Sequence, residues 1–251
     1  MLTYLYCLLT PADPACFPYG LRGLGEAPVR PLTAGAAGLR ATIEAWVSTI
    51  AEPAESREAD LPRDALVHHA VVQRALETGR TPLPARFGQH FADDASCRAD
   101  ITRREMVLAE ALARVAGMVE MRVIVAPRHA ARERVPAPAL PASHAALPLA
   151  HPGRRYLEML RTRAHEAAAV RARVAEQLNL VDAAVRHLAR EMRRRDPGSA
   201  IPLHSGTTMH LVARESATAY RAALARITLS AEWRLVLADP APPYNFSDLH
   251  S

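Results

Sequence analysis

The sequence predicts an α+β protein of two domains, each a ferredoxin-like sheet with helices packed on one side. Three observations carry that expectation. Short β-type runs alternate with helical runs along all 251 residues. Hydrophobic residues make up 49% and charged residues 23%, a globular balance with enough apolar surface for a core. A Pro/Ala-rich stretch, 127–152, reads as a linker and divides the chain into an N-terminal α+β domain, 1–126, and a C-terminal helical and α+β domain with an extended tail, 153–251. Aromatics are only 5%, so Leu, Val, Ile and Ala must supply most of the core.

The elements follow from local pattern. LTYLYCLL (2–9) is a buried strand ending at Thr10-Pro11. Residues 11–25 are loop-like, and LRATIEAWVSTI (39–50) has the β-branched alternation of a strand, with a helix as the alternative. Asp60 is placed to cap a helix with Pro62 in its first turn, running to a stop at Thr78-Gly79. In PLPARFGQHF (82–91) the prolines cannot donate ladder hydrogen bonds. A short edge strand is expected there, ending at Gly88, with Phe87 in the core and Arg86 held by an acidic partner. Asp93 or Asp94 caps a helix over 95–116, and MVEMRVIVA (118–126) is a strand. A long helix is expected from 153 to 195. Its Val174, Leu178, Val181, Val185, Leu188 and Met192 form one apolar stripe, buried against C-terminal strands. A strand over 207–214, a helix near 217–227 and a strand over 231–238 complete the pattern. In the tail, Tyr244 and Phe246 are expected to pack onto the body from an extended, proline-stiffened segment.

The residue types exclude several chemistries. All 31 basic residues are arginine, so neither a Walker lysine nor Schiff-base catalysis on lysine is available. No G-x-G-x-x-G, G-x-S-x-G or H-E-x-x-H motif occurs. His68 and His69 are adjacent, so on a helix their rings diverge by about 100° and cannot share a metal. Cys7, Cys16 and Cys97 lack metal-ligand spacing, and their odd number suits a reducing compartment. Cys7 reads as a small hydrophobe. Cys97 sits in a helical first turn, where two carboxylates oppose the dipole. No catalytic, cofactor-binding or metal-ligating residue is assigned, and no cofactor is expected. The net charge of +5 is spread among carboxylates without aromatic interleaving, so no nucleic acid partner is expected. No run reaches the roughly 18 apolar residues of a membrane span, and the N-terminus lacks a basic leader. A cytoplasmic protein is expected.

Six separated motifs go further: YLYCLL (4–9), HHAVVQRALE (68–77), LPARFGQHF (83–91), MVEMRVIV (118–125), GRRYLEML (153–160) and DPAPPYNF (239–246). In this order they resemble the gas vesicle protein F/L (GvpF/GvpL) family almost end to end. The chain departs from the family pattern at Cys7 (usually glycine), His69 (usually Glu), Gln89 (usually Thr) and Asp239-Pro240-Ala241 (usually Gly-Pro-Trp). The resemblance implies a non-enzymatic accessory protein of the gas vesicle, a minor shell-associated component. It implies binding to the major shell protein (GvpA-like), with other accessory proteins as further partners, and help with nucleation and assembly. The motif residues that it marks as structural or partner-binding are Arg86, Phe87, Gly88, Tyr156, Pro242, Pro243, Tyr244 and Phe246. An edge strand at 82–87 would offer such a partner β-augmentation. The alternative is a small-molecule-binding or enzymatic α+β protein using Arg86 and a pocket histidine.

Overall fold

A computed structural model describes residues 1–12, 17–35, 42–51, 61–128, 152–195 and 205–247, the side chains of 152–156 excepted. The expected cap Asp60 and the interior of the expected linker, 129–151, lie outside the described residues.

The first sheet is built from β1 (Leu2–Leu9), β2 (Val29–Ala34), β3 (Ile43–Ile50) and β4 (Leu83–Pro84), in the order β2-β3-β1-β4, with β5 (His90–Phe91) also pairing β1. β1 pairs with β3, β4 and β5, and β2 with β3, all antiparallel. That order is the ferredoxin-like one, with a 3-10 turn at Leu24–Glu26 standing where the first crossover helix would lie. β1 is apolar on both faces because both are covered. Leu5 and Leu8 pack with Cys97, Ile101, Leu108 and Leu112. Tyr4, Tyr6, Cys7 and Leu9 pack with Val71, Val72 and Ala75. The alternation skips between Leu5 and Cys7, where a bulge shifts the register against β3 and turns both Tyr6 and Cys7 to the same face as Tyr4. Helices therefore flank this sheet on both faces: α1 (Leu61–Glu77) on one, α2 (Asp94–Arg103) and α3 (Glu105–Val115) on the other. The expectation of helices on one side is corrected here.

The single helix expected over 95–116 is two, broken at Arg104 (φ −103°, ψ 11°). Asp93 caps α2 by accepting from the Ser96 N–H at 2.7 Å. At the C-terminal end of α1, Arg214 donates to the carbonyls of Leu76 and of Arg80 just beyond the helix, at 3.2 and 3.0 Å, tying both to the 3-10 turn that follows β8.

The second sheet contains β6 (Met118–Pro127), β7 (Ala189–Arg195), β8 (Gly206–Ala213) and β9 (Trp233–Leu237), ordered β7-β8-β6-β9. With α4 (Pro152–Val185) and α5 (Ala217–Ala225) the chain order is β6-α4-β7-β8-α5-β9, the full ferredoxin-like βαββαβ. The apolar stripe is cut short relative to expectation. Val174, Leu178, Val181 and Val185 are buried on α4, whereas Leu188 lies past its end and Met192 is in β7. The long helix expected to reach 195 stops because the next residues join a sheet. Asp182 on α4 accepts from Thr208 of β8 at 2.9 Å and from Arg194 of β7 at 2.6 Å, which fixes β7 beside its neighbour.

Contacts divide the chain into two interleaved units. One is Met1–Met121 with His210–Ala217 and Asp239–Ser251; the other is Arg122–Met209 with Thr218–Ala238. This partition is discontinuous in sequence, unlike the linear division at 126 and 152. No helix among the described residues is long and apolar enough to cross a membrane.

Candidate functional site

Four motif segments of the first unit converge at α1. Tyr4 accepts a hydrogen bond from the Gly88 N–H at 3.0 Å. Its own proton is then free for Nδ1 of His68, 2.9 Å away. Nε2 is buried without a partner in hydrogen-bonding geometry. Burial pulls the His68 pKa down to about 4, and the nearby Ala85 backbone opposes this only in part. Around this bond the rings of Tyr4, Tyr6 and Phe87 lie 5.7, 5.6 and 5.8 Å from the imidazole. Burial raises the Tyr4 and Tyr6 hydroxyls as well, so the cluster is uncharged at neutral pH.

The two histidines are split. His68 faces inward, and His69, one residue on, shares a 3.1 Å hydrogen bond with the Tyr244 hydroxyl of the tail. The tail is anchored at further points, among them the Pro240 carbonyl, which accepts from Gln73 Nε2 at 3.4 Å. Ala241 exchanges backbone hydrogen bonds with Glu120, at 2.8 and 3.0 Å. Glu120 is fully buried, and its carboxylate accepts from Asn245 N–H at 2.9 Å and Nδ2 at 2.7 Å. Arg114 donates to the Phe246 carbonyl, and the Phe246 ring is fully buried. Pro242 and Pro243 are buried, and their carbonyls accept from Tyr244 and Phe246 N–H. The tail packs onto the body as expected, but Tyr244–Phe246 form a 3-10 turn and are not extended.

The motif turn corrects three expectations. Pro82 through Ala85 are buried, and β4 is only two residues long, so this edge is not open for β-augmentation. Phe87 is 38% exposed, outside the core. Arg86 is exposed and has no acidic partner among the described residues. Gly88 does end the segment: its φ of +85° is a conformation that side chains disfavour, and its N–H is the one that reaches Tyr4. Tyr156 lies in α4, but its side chain is outside the described residues. Sequence reasoning missed Glu120 and Asn245. The signal was there, since Glu120 is the one carboxylate inside the apolar run MVEMRVIV.

The arrangement offers no enzyme-like constellation among the described residues. A cavity of about 30 Å³ is lined by Leu5, Leu8, Ala85, Gln89, Asp100, Ile101, Arg104 and Leu108. It has room for about one water molecule and contains no histidine. Arg86, exposed, and His68, buried, share no pocket there. No group of three or more His, Cys, Asp or Glu among the described residues is placed to hold a metal. Cys7 and Cys97 are both buried. Burial raises both thiols, Cys97 to about 12.

The chain belongs to the gas vesicle synthesis protein GvpL/GvpF family, whose pattern matches residues 2–248. The fold agrees with the crystal structure of the gas vesicle protein GvpF from Anabaena sp., at 17% identity and a TM-score of 0.68, covering 100% of this chain and 97% of that one. It agrees equally with that of the gas vesicle protein GvpF from Microcystis aeruginosa, at 18% identity and a TM-score of 0.67, covering 99% of each chain. No curated protein matches the chain. Family membership makes it an accessory protein of the gas vesicle, associated with other gas vesicle proteins.

Proposed function

We propose that this chain is a non-enzymatic assembly factor that binds the major gas vesicle shell protein and assists nucleation of the shell. Before assembly, a shell subunit that exposes apolar β surface is prone to pair with copies of itself. A partner that covers that surface keeps it available for ordered growth. The observation that carries the proposal is the Arg86-Phe87-Gly88 turn. Its flanks are fixed, by buried Pro82–Ala85 on one side and the Gly88–Tyr4 hydrogen bond on the other, while Arg86 is exposed and Phe87, packed by one edge on His68, keeps part of its ring in solvent. An exposed aromatic with an arginine on a pre-ordered turn has the composition of an interface anchor, and little ordering entropy opposes its use.

Pull-down of purified shell protein tests this reading. The double variant Arg86→Ala/Phe87→Ala is expected to stay folded, with a lower melting temperature because the Phe87 ring packs edge-on against His68, and to lose shell-protein binding at temperatures where both chains are native. Full binding by that variant would move the contact surface elsewhere. Removal of residues 240–251 is expected to lower melting temperature and binding together, because the tail supports α1 without touching the partner. Lost binding at unchanged melting would make the tail itself the contact.

A further inference from the structure

We propose that the free edge of β9 pairs with β9 of a second copy of this chain, antiparallel and centred on Val236. This lies beyond the shell-protein reading and does not depend on it, since β9 belongs to the second unit. An open strand edge recruits other chains unless something blunts it. The outer strands of the two sheets, each taken by itself, differ in that respect. In β2, Val29 N–H donates to the Leu21 carbonyl at 3.0 Å, which puts the backbone groups of residues 29, 31 and 33 on the side away from β3. Pro31 has no N–H to offer there, and Arg98 donates to the Thr33 carbonyl at 3.3 Å. β4 and β5 are two residues each. β7, AREMRRR, carries four arginines and a glutamate in seven residues. β9, WRLVL, is the outermost strand beside β6 and holds one charge and no proline. None of these devices protects it.

The register against β6 fixes which groups are open. Ala238 N–H donates to the Arg122 carbonyl at 3.0 Å, and Arg128 N–H to the Glu232 carbonyl at 2.7 Å. Between them the pairing runs from Val123–Leu237 to Pro127–Trp233 without a shift. Bonded and non-bonded residues alternate in an antiparallel ladder. Arg234 and Val236 therefore bond β6, whereas Trp233, Leu235 and Leu237 aim N–H and C=O outward. Trp233 is already served: its N–H donates to the Ser230 carbonyl at 2.8 Å, and its own carbonyl accepts from Arg128 Nε at 2.9 Å. The outward groups of Leu235 and Leu237 are met by no described residue.

The side chains select a second copy as the occupant. With a two-fold axis at Val236, Leu235 of each copy lies opposite the partner's Leu237. Each such pair exchanges N–H···O bonds, so every open group of both strands is satisfied. Val236, 42% exposed, meets the partner's Val236 on the axis, at the closer, non-hydrogen-bonded spacing. Leu235 and Leu237 lie beside Val125 and Val123 on the face of the sheet where those two are fully buried. They are only partly buried themselves, because the sheet stops there, and a pairing strand continues that core. Arg234 falls opposite the partner's Ala238, so no like charges face each other. A foreign strand would meet the backbone groups equally. The match of apolar side chains and the separation of the arginines, in the one register that closes the hydrogen bonds, single out the copy. One strand pair is a small interface, so the Kd is expected on the order of 10–100 µM, and the monomer prevails at the ~1 µM of fluorescence work.

Sedimentation velocity of the full chain, loaded from roughly 2 µM to roughly 200 µM, tests this and should show a monomer passing into a dimer. Val236→Lys and Val236→Glu put like charges on the axis at an exposed position. Each should fold as the parent does, by circular dichroism, and dimerise about tenfold or more weakly. Mixed in equal amounts, the two variants should pair with each other as strongly as the parent pairs with itself. In a Cys16→Ser background, Val236→Cys should oxidise to a disulfide-linked dimer, whereas Arg234→Cys, opposite the partner's Ala238, should not. Arg86→Ala/Phe87→Ala should dimerise like the parent, which separates this pairing from shell-protein binding. The inference is overturned if the parent stays monomeric throughout, if Val236→Lys associates as the parent does, or if the lysine and glutamate variants fail to pair. It is equally overturned if, where the parent is monomeric, purified shell protein binds the parent and not Val236→Lys, since a foreign strand would then take the edge.

Discussion

Replacing Phe246 by alanine should unfold the first unit more easily, by an amount that its burial sets. The ring is fully buried at the end of a chain segment that returns from the second unit's last strand, and the Arg114 guanidinium holds its carbonyl in place. Truncating a fully buried phenylalanine costs about 3–5 kcal/mol, combining lost transfer energy with an incompletely collapsed cavity. Asn245→Ala is a graded control: it strips one donor from the buried Glu120 carboxylate and costs about 1–3 kcal/mol. Tyr244→Phe removes only the hydroxyl that meets His69 and costs about 0.5–1.5 kcal/mol. The chain has two tryptophans, Trp46 buried in the first unit and Trp233 in the second. In a Trp233→Phe background, Trp46 fluorescence during urea denaturation therefore reports the first unit alone. The order Phe246→Ala, Asn245→Ala, Tyr244→Phe, from most to least destabilising, is the expected result. A Phe246→Ala change below about 1 kcal/mol would mean that the tail is not part of that core, and the reasoning would fail.

Leu178→Ala should destabilise the second unit by about 2–5 kcal/mol, independently of protein concentration, because its side chain meets β8 of the same chain. A concentration-dependent change would place it in an oligomer seam. Gly206→Ala should cost about 1–3 kcal/mol by overpacking Val174 and Leu178, and Trp233 fluorescence in a Trp46→Phe background would read it; a neutral result would contradict the close packing. His68 gives the first unit an acid-sensitive stability. Its pKa is about 4 when folded and near 6.5 when unfolded, so the unfolded chain binds the extra proton between those values. Stability should be full above pH 6.5 and fall toward pH 4 with a slope of up to about 1.4 kcal/mol per pH unit. His68→Gln should abolish that slope, and an unchanged slope would assign it to other groups. Thiol labelling of the native protein followed by peptide mapping should leave Cys7 and Cys97 unmodified; rapid modification of either would contradict their burial.

The α+β class and most elements were legible because burial on both faces makes continuous apolar runs. LTYLYCLL and MVEMRVIV could be little else than strands. β2 was missed: VRPLTA has a proline at its centre, which an edge strand tolerates and a pattern reading discounts. β7 was read as helix because Arg, Glu and Met favour helices locally. Its strand state is imposed by pairing beside β8 and by the Asp182–Arg194 ion pair, neither visible in a window of seven residues. At the candidate site the motif residues stood out in sequence, but their environments did not. Phe87 was expected in the core because phenylalanine usually is, yet the Gly88 turn carries it to the surface while Tyr4, four residues into the chain, takes the inner position. The tail's docking was readable from its two aromatics. Glu120 stood out as the lone carboxylate of an apolar run, but its pairing with Asn245 was not readable, since a contact across more than a hundred residues leaves no local trace.

The central claim is that this chain acts in gas vesicle formation through the shell protein, and reconstitution measures that most directly. A gas vesicle gene cluster would be expressed with the parent chain, with Arg86→Ala/Phe87→Ala, or without the chain, and vesicles counted by electron microscopy. The account predicts few or no vesicles without the chain, and a matching deficit with the double variant although it folds and accumulates normally. Normal vesicle numbers in the absence of the chain would contradict it.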